Sequence, residues 1–369
     1  MKNVLKLLLL TIFIVMTLML ASCKMRRFVY YNFANITDYK IFPYRTAKND
    51  SIKFTFETLE KQKAPRTLTF GNKEYGFDEY LKKNKTVAFL IIKNDTLLCE
   101  KYFNGYSEAS IVNSFSMAKS VTSILIGCAI DDGFIRSVEE PVIKYVPELT
   151  GKGMDEMSIK NLLQMTSGMK YNESYVNPFG DAATYYYGTN LRKALNNRET
   201  LQAPGTEFSY SSGDTQMLGL VLERALEGKN ITEYLQEKLW KPLGMEYDAT
   251  WSLDRRENGL EKTFCCLNAR ARDFAKIGRL YLNKGKWDNK QIVSKEWVDV
   301  STTADTLEGG APHYKYQWWL EKDGNYMAQG ILGQYIYVVP KKNMIIVRLG
   351  KDYGNAKWES IFYSLSNLY

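Results

Sequence analysis

Ser116-Met117-Ala118-Lys119 puts a hydroxyl and an amine three residues apart. On a helix that spacing brings both side chains to one side, within reach of each other. A serine hydroxyl attacks a carbonyl carbon only weakly until an adjacent base takes its proton. A lysine can be that base where an apolar setting disfavours its charged form and lowers its pKa. The same pattern recurs at Ser167-Gly168-Met169-Lys170, so spacing alone decides nothing.

Context separates the two. Met117, Val121, Ile124, Leu125 and Cys128 follow Ser116 at helical intervals, Ile126, Ala129 and Ile130 make the other faces apolar, and Gly133 supplies a stop. A helix apolar all round is a buried one. Ser116 at its head lies near free backbone N–H groups. Ser167 instead follows Ile159, Leu162, Leu163 and Met165 and precedes Gly168, a helix-ending signal, so its hydroxyl is not expected beside Lys170. A plain structural reading of the first pair remains, with Ser116 as a helix cap and Lys119 as a solvated first-turn charge.

A third group comes from Pro204-Gly205-Thr206-Glu207-Phe208-Ser209-Tyr210-Ser211-Ser212-Gly213-Asp214, a turn-rich stretch before a helix marked by Leu218, Val221, Leu222 and Ala225. Asp214 reads as the cap of that helix. The loop would present Tyr210 as a phenol able to relay a proton to a leaving group. Tyr-x-Asn by itself is uninformative, since it occurs at Tyr30, Tyr102, Tyr175, Tyr281 and Tyr353 without that lead. His313 is the only histidine, lies in Gly309-Gly310-Ala311-Pro312-His313, and reads as loop surface rather than as a catalytic base. Tyr185-Tyr186-Tyr187 could wall a pocket or pack a core, whereas Trp318 and Trp319 read as packing.

These segments together resemble the serine β-lactamase-like and penicillin-binding-protein-like superfamily, closest to its class C-like branch with esterases, D-amino-acid peptidases and amide hydrolases. The carriers are Phe115-Ser116-Met117-Ala118-Lys119, Leu162 to Met169, Pro204-Gly205-Thr206 leading to Tyr210-Ser211-Ser212, Pro242-Leu243-Gly244-Met245, Ala271 to Gly278, and Tyr316-Gln317-Trp318-Trp319. The resemblance spans roughly residues 86–368. It implies Ser116 as nucleophile, Lys119 as base, Tyr210 as partner acid or base, and the backbone N–H groups of Ser116 and Gln334 as an oxyanion hole. A third family motif, which begins with Lys or His, falls on Ile331-Leu332-Gly333 here, and Ile331 offers no cation to a substrate carboxylate. Ser212 stands where many relatives have Asn. Ser212, Ile331, Gly333 and Tyr186 are the candidate substrate contacts.

Those departures point away from antibiotic hydrolysis and toward the branch containing 6-aminohexanoate-dimer hydrolase and related amidases and esterases. The expectation is cleavage of a small-molecule amide, ester or peptide through an acyl-enzyme on Ser116, with no cofactor. A β-lactamase or D-amino-acid peptidase is the alternative within the class. A non-catalytic sensor of cell-wall fragments or β-lactams is the alternative outside it.

The elements that must hold these groups follow from patterning. Thr86 to Ile92 and Leu97 to Tyr102 flank an Asn94-Asp95 turn and read as a β-hairpin. Residues 117–300 are mainly helical in pattern. Tyr316 to Glu321, Tyr326 to Gln329, Gln334 to Val339 and Met344 to Leu349 read as strands, and a helix closes the chain from about Ala356 to Leu368. The expected fold is α+β: one antiparallel sheet built from the N- and C-terminal segments, flanked by helices, with a mainly helical region inserted.

At the N-terminus, Met1 to Lys6 carries charge, Leu7 to Leu20 is apolar, and Leu20-Ala21-Ser22-Cys23 resembles a bacterial lipoprotein box. Residues 1–22 therefore read as a lipoprotein signal peptide, residues 23–75 as a membrane-proximal lead-in, and residues 76–369 as the hydrolase domain. Lipid on Cys23 would hold the protein on a membrane facing the periplasm or cell exterior. The chain has 49 Lys and Arg interspersed among 41 Asp and Glu, with no basic run of the kind that tracks a nucleic-acid backbone, so nucleic acid is not an expected partner. One histidine and cysteines without Cys-x-x-Cys spacing leave a metal site short of ligands. Cys128 reads as core; a disulfide among Cys99, Cys128, Cys265 and Cys266 is possible, with its connectivity open.

Overall fold

The computed structural model describes residues 6, 8–11, 23–31, 33–70, 73–196 and 198–369. The signal-peptide reading falls mostly on residues outside these. Among the described residues no helix is long and apolar enough to cross a membrane.

In chain order, the elements that carry the core and the site begin with helix α1 (Cys23–Tyr31) and strands β1 (Tyr44–Ala47) and β2 (Glu57–Thr58). The hairpin β3 (Thr86–Lys93) and β4 (Thr96–Tyr102) and the short β5 (Val112–Asn113) follow. Helices α2 (Met117–Asp131), α3 (Ile159–Gln164), α4 (Asp181–Tyr187) and α5 (Ser212–Ala225) fill the middle. Strands β6 (Ala249–Ser252) and β7 (Leu267–Ala269) then precede helix α6 (Ala271–Leu282). The chain ends with β8 (Tyr314–Lys315), β9 (Trp318–Leu320), β10 (Tyr326–Gly330), β11 (Gln334–Val339), β12 (Met344–Gly350) and helix α7 (Trp358–Ser366).

Among the described residues the main sheet has eight strands in the order β8-β9-β10-β11-β12-β3-β4-β2. It is antiparallel except at its short edge, where β2 runs parallel to β4. The two chain halves meet at β12 and β3, with Ile345 opposite Ile92 and Val347 opposite Leu90. This is the α+β arrangement expected from the sequence. Side chains alternate across a strand, and both faces of β3 are buried: Leu90 and Ile92 join one core, Phe89 and Ile91 the other. Helices α2 and α6 cover the first face, and α7 covers the second with Trp358, Phe362 and Leu365.

A second sheet, in the order β1-β6-β7-β5, ties the nucleophile segment to distant chain. Val112 pairs with Ala269 and Asn113 with Asn268, so residues just before Ser116 are locked to residues just after Cys266. Residues 23–75 supply β1 and β2 and place Ile36, Phe42, Ala47 and Phe56 in the core.

Three local expectations change. The strand expected from Tyr316 begins only at Trp318, because Tyr316 and Gln317 both take positive φ (41° and 69°). That turn drives Gln317 into the interior, where it accepts from Thr215 Oγ1 (2.7 Å) and donates to the carbonyls of Leu162 and Leu163 (both 3.0 Å). Ser211, rather than Asp214, caps α5, accepting from the Asp214 N–H at 3.1 Å. Helix α3 ends before Gly168, at Gln164, where Met165 turns left-handed (φ 61°).

Arg348 is fully buried on β12 and stacks on Trp358, its guanidinium carbon 3.8 Å from the ring centroid. It donates to Gly333 O (2.6 Å), Asn84 O (2.7 Å), Asp352 O (2.9 Å) and Thr86 Oγ1 (3.1 Å), pinning the β10–β11 turn to the sheet. Arg348→Ala would strand several buried acceptors and should cost on the order of 3 kcal/mol in urea unfolding. A loss well under about 1 kcal/mol would show that the turn is held by other contacts.

Candidate active site

Ser116 sits at the head of α2, and its side chain makes no capping bond to the helix. The cap reading of Ser116 therefore does not describe this geometry. The preceding Phe115 is held at φ 44°, a left-handed conformation that a bulky residue adopts only under surrounding constraint. From Met117 to Ala129 every residue of α2 is buried, as the all-round apolar pattern implies.

Lys119 is 1% exposed, so the alternative of a solvated surface charge does not hold. Its Nζ donates to Ser212 Oγ (2.9 Å), to the Phe264 carbonyl (2.9 Å) and, more loosely, to Ser116 Oγ (3.3 Å). The Tyr210 and Phe264 rings lie 5.2 and 5.6 Å from the amine. Burial pulls its pKa down from 10.5 to about 8, against the opposing pull of Glu173 and Asp214. At neutral pH about a tenth of such amines would be uncharged, far more than for a surface lysine.

Tyr210 borders a cavity in common with Ser116. Its ring stacks on Trp319 (centroids 5.6 Å, 29°) and meets Tyr314 edge-on at 6.0 Å. Burial raises its pKa, Glu173 adds to the effect and the Ser116 hydroxyl partly offsets it, so the phenol stays protonated as a donor. Trp319, expected as packing alone, thus orients Tyr210. Trp318 is core, stacked on Tyr281 at 4.2 Å. His313 is exposed and lies over Trp319 in its loop.

Glu173 is the residue that sequence patterning missed. Its carboxylate accepts from the Ser212 N–H (2.7 Å), Ser212 Oγ (2.6 Å) and the Tyr175 phenol (2.6 Å). Ser212 therefore bridges Lys119 and Glu173. The second Ser-x-x-Lys dissolves: Ser167 bonds Asp214 (2.8 Å), while Lys170 pairs with Glu199 on the surface (3.1 Å).

Two cavities meet at Ser116. The larger, about 380 Å³, is bordered by Ser212, Tyr186, Phe264, Cys265, Ile331 and Tyr353 among others. The smaller, about 180 Å³, is bordered by Tyr210, Trp319, Gln329, Gly330, Ile331 and Tyr353. Tyr175 and Tyr353, two of the background Tyr-x-Asn matches, border both. Tyr186 is anchored through its phenol to Asp38 (2.7 Å). Gly333 and Gln334 border neither cavity; Gln334 is fully buried and its side chain holds Gly350 O (2.7 Å).

Gly330 explains the close approach of β10 to the serine. A Cβ there would lie 2.4 Å from Ser114 O and 3.1 Å from Ser116 N, so only glycine lets this strand end abut the α2 head. On the opposite wall, Cys265 and Cys266 form a disulfide between adjacent residues, with Cys266 at φ 70°. This small ring fixes the backbone beside the Phe264 carbonyl that receives the Lys119 amine. Cys128 is buried in the core and free, and among the described residues no cluster suited to a metal ion occurs.

A half-buried serine joined to a largely desolvated lysine and an oriented phenol, beside an apolar cavity, is the constellation of a serine hydrolase. The chain belongs to the beta-lactamase family, whose profile matches residues 77–360. It is 31% identical over 294 residues to 6-aminohexanoate-dimer hydrolase of Paenarthrobacter ureafaciens, covering 74% of each chain. A Bacillus anthracis structure described as a candidate 6-aminohexanoate-dimer hydrolase superposes with a TM-score of 0.80 at 25% identity, covering 90% of this chain and 92% of that one. A family VIII carboxylesterase shares the fold at a TM-score of 0.59 and 17% identity, covering 75% and 89%.

Lys119 should titrate near pH 8 in NMR of the isotopically labelled protein, apart from the surface lysines. Because Glu173 favours the charged amine, Glu173→Gln should move that midpoint lower. A Lys119 midpoint at 10.5 would contradict the buried setting.

Proposed function

We propose that this protein hydrolyses a small amide or ester through an acyl-enzyme on Ser116. The carrying observation is the 3.3 Å approach of the buried Lys119 amine to Ser116 Oγ, with Tyr210 bordering the same cavity as that hydroxyl. Neutral Lys119 takes the serine proton as Oγ attacks the carbonyl carbon. As the tetrahedral intermediate collapses, the bond to the leaving group breaks and the leaving nitrogen or oxygen receives a proton by way of Tyr210. Water then attacks the ester on Ser116, releasing the acid and restoring the hydroxyl.

The developing oxyanion needs backbone donors aimed at it. The Ser116 N–H is one. For the second, the reading moves from Gln334 to the N–H of Ile331, because Gly330 abuts Ser116 and Ile331 borders both cavities. Ser212 acts in the proton network through Lys119 and Glu173 rather than as a substrate amide contact. A fluorophosphonate should label Ser116 in the wild type and leave Ser116→Ala unlabelled. Lys119→Met should slow labelling by about 100-fold or more. Equal turnover of a chromogenic ester by Ser116→Ala would overturn the proposal.

We propose further that the protein is exported and lipidated at Cys23. The lipobox pattern supports this, and so does the Cys265–Cys266 disulfide, since disulfides persist in oxidising compartments. Radiolabelled palmitate should enter the wild type in a bacterial host and not Cys23→Ala; equal labelling of both would remove the assignment.

A further inference from the structure

We infer that the larger cavity receives the acyl part of the substrate, and that this acyl group is a bulky, uncharged, apolar chain. The inference rests on the acyl-enzyme reading above and names the substrate class of the same site.

The two cavities divide the substrate at Ser116. A proton can reach the leaving group only within hydrogen-bond reach of its donor. Tyr210 borders the smaller cavity and not the larger one. The departing amine or alcohol therefore lies beside Tyr210, Trp319 and Gln329, in the smaller space of about 180 Å³. The carbonyl carbon stays at Ser116, and the chain attached to it extends the other way, into about 380 Å³.

That second space is lined mainly by apolar and aromatic surface, with the hydroxyls of Ser116, Ser212 and several tyrosines as its polar groups. Among the described residues that border it, none carries a charged side chain. Phe115, Phe264 and Ile331 are among its apolar wall residues. An acyl group ending in a carboxylate or ammonium would meet no opposite charge in this lining and recover only part of its desolvation cost. An uncharged chain would gain about fourfold in binding for each methylene removed from water.

The mouth supports the same chemistry. Phe33 is 54% exposed and Val176 72% exposed, and both border the cavity. Scattered exposed apolar residues are ordinary, but here two large ones stand at the entrance to a site that opens on a reactive serine. Phe28 of α1 completes this wall and is held by an edge-on contact with Tyr187 (5.6 Å). The segment ahead of the family-matched region thus becomes part of the substrate site.

The test is a chain-length series of p-nitrophenyl esters with the full-length protein. Values of kcat/KM should rise at least about tenfold from acetate to hexanoate as methylenes enter the cavity. The p-nitrophenyl half-ester of adipic acid has the same chain length with a terminal carboxylate, and should react at least about tenfold more slowly than hexanoate. Phe33→Asp should lower the hexanoate-to-acetate ratio of kcat/KM. A flat or falling series, or equal rates for hexanoate and the adipate half-ester, would overturn the acyl assignment while acetate turnover and Ser116 labelling persist. Loss of turnover for every ester together with absent labelling would instead overturn the acyl-enzyme reading on which it rests.

Discussion

An amine with an ordinary pKa of 10.5 is held here where water scarcely reaches it, and the rest of the site depends on that burial. Desolvation brings Lys119 to about 8, where it can give up its proton near physiological pH. Full burial without partners would be costly, so the amine keeps two firm acceptors, Ser212 Oγ and the Phe264 carbonyl, and a looser one at Ser116. Glu173, one bond further out through Ser212, supplies negative charge without touching the lysine. The balance between these terms sets how readily the serine can be activated.

Each partner of the amine is fixed by a different part of the fold. Ser116 is held by α2, whose residues are buried against the main sheet, and by the glycine at 330 that lets β10 come close. Ser212 is held by the capped start of α5. Phe264 is held between Lys262 and the Cys265–Cys266 ring. Lys262 is itself buried and bonds the carbonyls of Tyr185 and Tyr186, which ties the cavity wall to the same strand connection. The small second sheet closes the circuit by pairing Asn113 with Asn268. A long-range architecture therefore defines a cluster only a few ångströms across.

Much of this was legible from residue types and spacing. The runs around Leu90, Ile336 and Ile346 alternate between two buried faces or stay apolar throughout, so strand identity follows from periodicity alone. The buried character of α2 follows from its apolar residues on every face. What spacing could not convey is contact made by the folded chain. Glu173 lies in an irregular loop with no periodic signal, and its role exists only because Ser212 is brought to it. Tyr175 and Tyr353 carry the same dipeptide context as other tyrosines, and only the cavity distinguishes them. The path of the β10–β11 turn is likewise not legible from spacing, and Gln334, the expected donor, lies buried outside the two cavities that meet at Ser116. Cys265 and Cys266 are adjacent in sequence, yet their bond to each other depends on a left-handed Cys266.

The most direct test of the account is the pH dependence of the rate at which a fluorophosphonate acylates Ser116, compared with the titration of Lys119 in the same protein. If the buried amine is the base, the rate climbs as Lys119 loses its proton and levels off above that midpoint, the two curves sharing an inflection near pH 8. A rate that stays constant across the Lys119 titration, or that inflects where Lys119 does not titrate, would contradict the claim that this lysine activates the serine.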